Sequence, residues 1–149
     1  MRFLTLFAAS VVAFGSAAQA HVTISPKESV TGETQVYTAR VPTESASPTV
    51  ALELAVPAGV TVEPSKDGKY AVKQADGRNV VTWTLNIAAG KNEELKFSAK
   101  NPDKPTELVW KFVQTYGDGT KVAWIEPAGG KRPAPTTKIA EEQVMAPGQ

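Results

Sequence analysis

Apolar and polar residues alternate along short segments, and this pattern constrains the fold more than any other feature of the chain. Val50, Leu52 and Leu54 would share one face of an extended strand, and Glu53 would lie on the other face. Similar strand-forming patterns occur at residues 36–41, 79–87, 94–99, 108–116 and 122–125. Turn-forming residues separate these segments, and no segment shows sustained helical periodicity. The pattern predicts an all-β fold, built as a two-sheet sandwich.

The first residues are typical of an export signal. Arg2 carries the only charge before His21, residues 3–14 are almost wholly apolar, and Ala18 and Ala20 form an Ala-x-Ala end. The apolar run is too short for a bilayer, which needs roughly 20 residues. We therefore expect residues 1–20 to be removed during export, leaving a periplasmic or secreted protein without a membrane anchor. The alternative interpretation is an N-terminal anchor.

The rest of the chain fits a single domain. Residues 21–140 are predicted to form the sandwich, and residues 141–149 a disordered tail, after an extended edge that begins near residue 131. The sequence contains no cysteine, which excludes thiolate metal sites and a cysteine nucleophile. Without Arg2, 15 basic and 15 acidic side chains balance, so nucleic acid is not an expected partner.

His21, the only histidine of the chain, would become the first residue after cleavage. A terminal histidine offers a metal two nitrogens, the α-amine and the ring Nδ1, which can close on one ion as a chelate. Both must give up a proton to bind it. Nitrogen donors combined with carboxylate or water suit Cu(II). The alternative is that His21 is simply the residue at which cleavage occurs.

Six segments match one known family in order, and together they span nearly all of the predicted mature chain. They are HVTISP at 21–26, YTARVP at 37–42, LELAVPAGV at 52–60, VTW at 81–83, WKFVQTYGDG at 110–119 and WIEP at 124–127. In these segments the chain resembles the YcnI-like family of exported copper-binding domains. The resemblance implies an immunoglobulin-like or cupredoxin-like sandwich that holds one Cu(II) per chain.

The resemblance also implies a set of site residues. His21 would supply its amine and ring nitrogens, Glu53 would supply a carboxylate, and the indole of Trp124 would cover the metal. Glu126 stands where the family often has glycine, so it is either a further ligand or a surface charge. A second molecule completing the copper sphere is also left open.

These observations predict a non-enzymatic, exported Cu(II)-binding protein, acting as a periplasmic copper chaperone or in copper homeostasis. Its expected partners are copper and other copper-trafficking proteins. One alternative is a metal-free surface module that binds proteins or carbohydrate. A copper-dependent redox enzyme is disfavoured, because a full histidine brace needs a second histidine.

Overall fold

The computed structural model describes residues 20–143, so the predicted signal peptide, apart from Ala20, and residues 144–149 lie outside the described part. Every regular element in the described part is a β-strand, and no helix there could cross a membrane. The strands are β1 Thr23–Ser25, β2 Glu28–Val30, β3 Thr34–Pro42, β4 Thr49–Ala55, β5 Thr61–Val62, β6 Ala71–Ala75, β7 Arg78–Ile87, β8 Asn92–Lys100, β9 Thr106–Val109, β10 Lys111–Tyr116, β11 Lys121–Trp124 and β12 Thr136–Ala140.

The strands form three sheets around one core. The two larger sheets have the orders β1-β3-β8-β5 and β11-β10-β4-β7-β6, and a small sheet has the order β2-β12-β9. Trp83 of the five-stranded sheet meets Phe97 of the four-stranded sheet edge to face, with ring centroids 5.7 Å apart. Buried side chains from all three sheets belong to one continuous apolar cluster. The prediction of an all-β sandwich is confirmed.

The alternation in β4 appears as predicted from Leu52 onward, but a register shift between Thr49 and Ala51 buries Thr49 and leaves Val50, expected on the inner face, only half-buried. Leu52 and Leu54 are fully buried, and Glu53 between them is exposed. Burial of each leucine contributes about 1.5–3 kcal/mol to stability. The predicted hairpin after β10 also forms. It is closed by a hydrogen bond from the Tyr116 N–H to the carbonyl of Thr120, over 2.9 Å.

The segment 108–116, expected as one long strand, is two strands in different sheets. Trp110 lies between them, and its N–H donates to the carbonyl of Pro135 over 2.9 Å, which extends the pairing of β9 with β12 by one residue before the chain enters the other sheet. β9 consequently belongs to the small sheet and β10 to the five-stranded sheet. The expectation of an extended edge segment from about residue 131 is also wrong. β12 is the central strand of the small sheet, between β2 and β9, and it buries Thr137 and Ile139.

Candidate metal centre

His21 lies just before β1 and is held against the sandwich by its neighbours. Val22 is buried, and Thr23 begins the ladder in register with Arg40 of β3. β1 is the edge strand of the four-stranded sheet, so its start lies beside the end of β3. The residue predicted to chelate a metal therefore belongs to the ordered fold, as its apolar and β-forming neighbours suggested.

Trp124, the predicted covering residue, packs against His21. The imidazole and indole centroids are 5.9 Å apart and the rings are tilted by 56°. Trp124 ends β11, the edge strand of the five-stranded sheet, and is only 6% exposed. Its indole N–H donates to Gln114 Oε1 over 3.0 Å. The two facing sheets thus bring these two predicted site residues together at neighbouring edges.

The imidazole of His21 carries an unpaired polar atom. Among the described residues, His21 Nε2 is the one buried side-chain nitrogen or oxygen without a hydrogen-bond partner. Leaving such a group unpaired costs about 1–3 kcal/mol, and most folded proteins avoid it. Nδ1, and not Nε2, would close the chelate with the amine, so this unpaired atom reflects the burial of the ring and does not itself mark a metal ligand.

A carboxylate that the sequence reasoning missed lies beside the start of β1. The N–H of Ala20 donates to Glu44 Oε1 over 2.9 Å. The backbone nitrogens of Ala20 and His21 are within about 4 Å of each other by covalent geometry. Glu44 therefore reaches the place where cleavage after Ala20 would leave the free amine of His21. The only signal for it in the sequence is its position two residues after β3, the strand that pairs with β1.

Glu53 lies on a different face of the molecule. It is in register with Val113 of β10, whereas Leu54 is in register with Phe112, which in turn is in register with Trp124. The row containing Trp124 points into the core, and the row containing Glu53 points outward. The structure does not bring Glu53 to His21. As a metal ligand it stays a prediction, with Glu44 as its rival.

Glu126 has a structural partner close to the site. Its carboxylate accepts a hydrogen bond from the N–H of Arg132 over 3.0 Å, and its own N–H donates to the carbonyl of Arg132 over 3.0 Å. These bonds close the loop that follows β11. Within residues 20–143, no three His, Cys, Asp or Glu side chains form a group that could hold a metal by themselves.

The pKa of the Tyr116 hydroxyl depends on the charge of Glu44. Burial raises the pKa of the Tyr116 hydroxyl, the negative charge of Glu44 raises it further, and Arg132 opposes the shift. Glu44 and Arg132 are therefore both close enough to influence this hydroxyl. The site combines an imidazole, a carboxylate and an indole at one end of the sandwich, next to a buried phenol.

An open groove of about 610 Å³ lies elsewhere, along the end of β4 and beside β9. Its lining includes Arg78, Lys111 and Glu107, but none of His21, Glu44, Glu53 and Trp124. The predicted site residues and Glu44 thus lie away from this groove.

Comparison with known proteins first defines the class. A structure from Nocardia farcinica, described as an uncharacterized protein with an immunoglobulin-like fold, superposes with a TM-score of 0.60 and 29% identity over 80% of this chain and 98% of that one. A type I cohesin from Pseudobacteroides cellulosolvens shares the fold alone, with a TM-score of 0.50 and 11% identity over 87% of this chain and 97% of that one. The protein is an immunoglobulin-like β-sandwich.

The family follows from the sequence. Residues 61–139 match the family described as a domain of unknown function, DUF1775. The chain is also 35% identical over 137 residues to the copper-binding protein CutI of Bacillus subtilis (strain 168), covering 87% of this chain and 67% of that protein. The chain belongs to the DUF1775 family, and the predicted YcnI-like relationship is confirmed.

Proposed function

We propose that this chain is an exported Cu(II)-binding protein of copper homeostasis that holds one copper ion at His21. The observation that carries the proposal is the convergence of three groups. The His21 ring packs on Trp124, and the carboxylate of Glu44 reaches the backbone just before His21. The similarity to a relative named as a copper-binding protein supports copper as the metal.

The donor set fits Cu(II) once the chain starts at His21. The α-amine and Nδ1 would provide two nitrogens, and Glu44 would provide an oxygen, a combination that suits Cu(II) at the top of the divalent affinity order. Both nitrogens must be deprotonated, so binding releases protons and weakens in acid. The buried indole of Trp124 would shield one side of the imidazole from water.

The uncleaved chain would be a poor binder for two reasons. The backbone nitrogen of His21 is then an amide, which is a much weaker donor than an amine. The N–H of Ala20 also occupies Glu44 Oε1. Removal of residues 1–20 would free both donors in one step, so that metal binding would begin only after export.

The metal-free alternative lacks the surface that it needs. A carbohydrate-binding sandwich typically presents exposed aromatic rings, yet all three tryptophans are buried, at 0–6% exposure. In the described part of the chain, the exposed large apolar side chains are Val36, Val72, Val109 and Ile125, none of them aromatic. A periplasmic copper carrier therefore accounts better for the buried indole packed on the imidazole.

The two candidate carboxylates offer a matched test of this proposal. In a chain that begins at His21, we expect one Cu(II) to bind per molecule in a chelator-competition titration. Glu44→Gln should raise the dissociation constant by more than about 10-fold, because even the hydrogen-bond partners of metal ligands typically change affinity by 10- to 100-fold. Glu53→Gln should leave the affinity and the electron paramagnetic resonance spectrum unchanged. A loss confined to Glu53→Gln would restore Glu53 as the ligand, and no Cu(II) binding by the parent chain would refute the proposed function.

A further inference from the structure

Gln114 is a fully buried polar residue on the inner face of β10. It lies between Phe112 and Tyr116, which are both buried on the same face. A primary amide in such a place is destabilising unless its hydrogen-bonding groups find partners. The position would normally be apolar, so the choice of glutamine calls for a physical reason.

The side chain of Gln114 is paired at both ends of its amide. Oε1 accepts the indole N–H of Trp124 over 3.0 Å, and Nε2 donates to the carbonyl of Pro42 and to Thr49 Oγ1, each over 2.8 Å. An amide nitrogen has two hydrogens to donate, and both are used here. Turning the amide over would lose the bonds to Trp124 and Pro42, because an indole N–H can only donate and a carbonyl can only accept, so the orientation of the amide is fixed.

One end of this amide leads to Trp124 and through it to His21. The other end leads to the segment that carries Glu44. Pro42 ends β3, and Thr43 after it is clamped by the bond between its N–H and the Lys91 carbonyl, over 2.9 Å.

The side chain of Thr43 joins the same network. Thr43 Oγ1 and Thr49 Oγ1 are 2.6 Å apart, so Thr49 links it to Gln114. Thr43 and Thr49 are both buried. Glu44 is the first residue beyond this anchored stretch, and its backbone position is therefore set by the network.

We propose that Gln114 is the positioning residue of the His21 site. One amide sets the distance between the indole that packs on the imidazole and the segment that presents the Glu44 carboxylate. Because the network is buried, its hydrogen bonds act in a medium of low polarity, where they hold geometry strongly. The copper part of this inference rests on the proposed function, but the positioning itself is a property of the metal-free protein.

The first experiment needs no metal. In the chain that begins at His21, nuclear Overhauser contacts between the Trp124 indole and the His21 ring should be present. Gln114→Met, which keeps a similar volume and removes the hydrogen bonds, should abolish these contacts and shift the Trp124 indole N–H resonance. Persistence of the ring contacts in folded Gln114→Met would overturn the proposal.

The matched control uses Trp110, the other buried tryptophan whose indole N–H donates to a side chain. Trp110 Nε1 donates to Thr137 Oγ1 over 3.0 Å, a bond of the same kind between the β9–β10 junction and β12, and the Thr137 hydroxyl donates in turn to the carbonyl of Pro26 over 3.0 Å. Thr137→Val should shift the Trp110 indole resonance and leave the His21–Trp124 contacts intact. Loss of those contacts in Thr137→Val as well would show a general loosening of the core and would also overturn the proposal.

The second experiment measures copper. Gln114→Met should raise the Cu(II) dissociation constant by about 10-fold or more and alter the electron paramagnetic resonance spectrum. Thr137→Val should change neither. If Gln114→Met does not fold, Thr49→Val replaces it, because it removes one of the same bonds, and wild-type copper affinity and spectrum in Thr49→Val would contradict the proposal.

The outcomes separate the two proposals. If the wild type binds no Cu(II) and the Gln114→Met variant loses the contacts between the His21 and Trp124 rings, the proposed function is refuted and the positioning role is supported. Wild-type protein that binds Cu(II), together with a folded Gln114→Met that keeps the contacts and the affinity, would support the function and refute the positioning role.

Discussion

Trp110 and Trp124 are both buried tryptophans with one indole hydrogen bond to a side chain, but they lie in different surroundings. Trp110 sits where the chain passes from the small sheet to the five-stranded sheet and packs on Tyr37 and Phe97, at centroid distances of 4.8 and 5.6 Å. Trp124 ends an edge strand and packs on His21 at 5.9 Å. The first is surrounded by aromatic core, and the second faces an imidazole with an unpaired nitrogen.

This difference shows how one residue type serves two purposes in one sandwich. Around Trp110, aromatic rings pack closely. Among the described residues there, no buried polar side-chain atom lacks a hydrogen-bond partner. Around Trp124, the unpaired His21 Nε2 is an unfavourable feature of the fold by itself. The imidazole to which it belongs packs on Trp124 at the start of β1, where cleavage would leave the free amine. We therefore expect stability to depend on Trp110 and metal binding to depend on the region of Trp124.

The largest expected effect is on stability, from truncation of Trp110. Trp110→Ala should lower the free energy of unfolding by about 3–5 kcal/mol, because a large buried side chain is replaced by a cavity. Chemical denaturation of the metal-free protein measures this change. Where the variant still folds, its Cu(II) affinity should equal that of the wild type.

Trp124→Phe is the matched variant for this comparison. Copper should quench the indole fluorescence of the wild type, and most of that quenching should disappear in Trp124→Phe. If Trp124→Phe is quenched as fully as the wild type, or if Trp110→Ala lowers stability by less than about 1 kcal/mol, the division of purposes between the two regions is wrong.

A smaller effect concerns pH, and it distinguishes the two regions through their tyrosines. Burial raises the pKa of Tyr37, next to Trp110, and of Tyr116, next to Glu44. The unfolded chain releases these protons near pH 10, while the folded chain still holds them, so stability should fall as pH rises above about 10, by up to about 1.4 kcal/mol per pH unit for each tyrosine. Below that pH the contribution is complete.

Phenolate absorbance and denaturation series across alkaline pH measure this effect. Glu44→Gln should lower the apparent pKa of Tyr116 towards its ordinary value and leave Tyr37 unchanged, since the Glu44 charge acts on Tyr116. Tyr116→Phe and Tyr37→Phe assign the two transitions. An equal response of both tyrosines to Glu44→Gln would place Glu44 away from the site.

The smallest expected effect is that of Glu126→Gln. The amide oxygen of the variant can still accept the Arg132 N–H, so the loop should keep its shape. Because this exposed side chain is already used structurally, copper affinity should change by no more than about 2-fold. A chelator-competition titration checks this, and a loss of about 10-fold or more would make Glu126 a ligand.

The fold could be predicted well because strand alternation is a local property. β4 and β7 follow from it directly. The break at Trp110 could not be seen, because residues 108–116 are continuous in β-forming composition and the change of sheet depends on distant partners, β12 for β9 and β4 for β10. The sequence reasoning did not single out Gln114, because the residues that pair with its amide nitrogen, Thr49 and Pro42, are 65 and 72 residues away along the chain.

The site could be predicted in part. His21 was predicted from the cleavage pattern and the family resemblance and Trp124 from the resemblance alone, and the structure brings the two rings together; their part in metal binding stays a prediction. Glu44 was missed because it lies in a loop without periodicity, where only tertiary structure shows what is near. The alternation had already placed Glu53 on the outer face of β4, opposite the inward leucines. The family resemblance nevertheless led to its prediction as a ligand.

The most direct test of the account compares two chains that differ by one residue, one beginning at His21 and the other at Ala20. Both should fold alike, as judged by circular dichroism and thermal unfolding. The Ala20 form should bind Cu(II) more weakly by more than about 100-fold. Losing a hydrogen-bond partner of a metal ligand typically costs 10- to 100-fold, and here a nitrogen ligand itself is lost. Equal Cu(II) affinity in the two chains would contradict a site built on the free amine of His21.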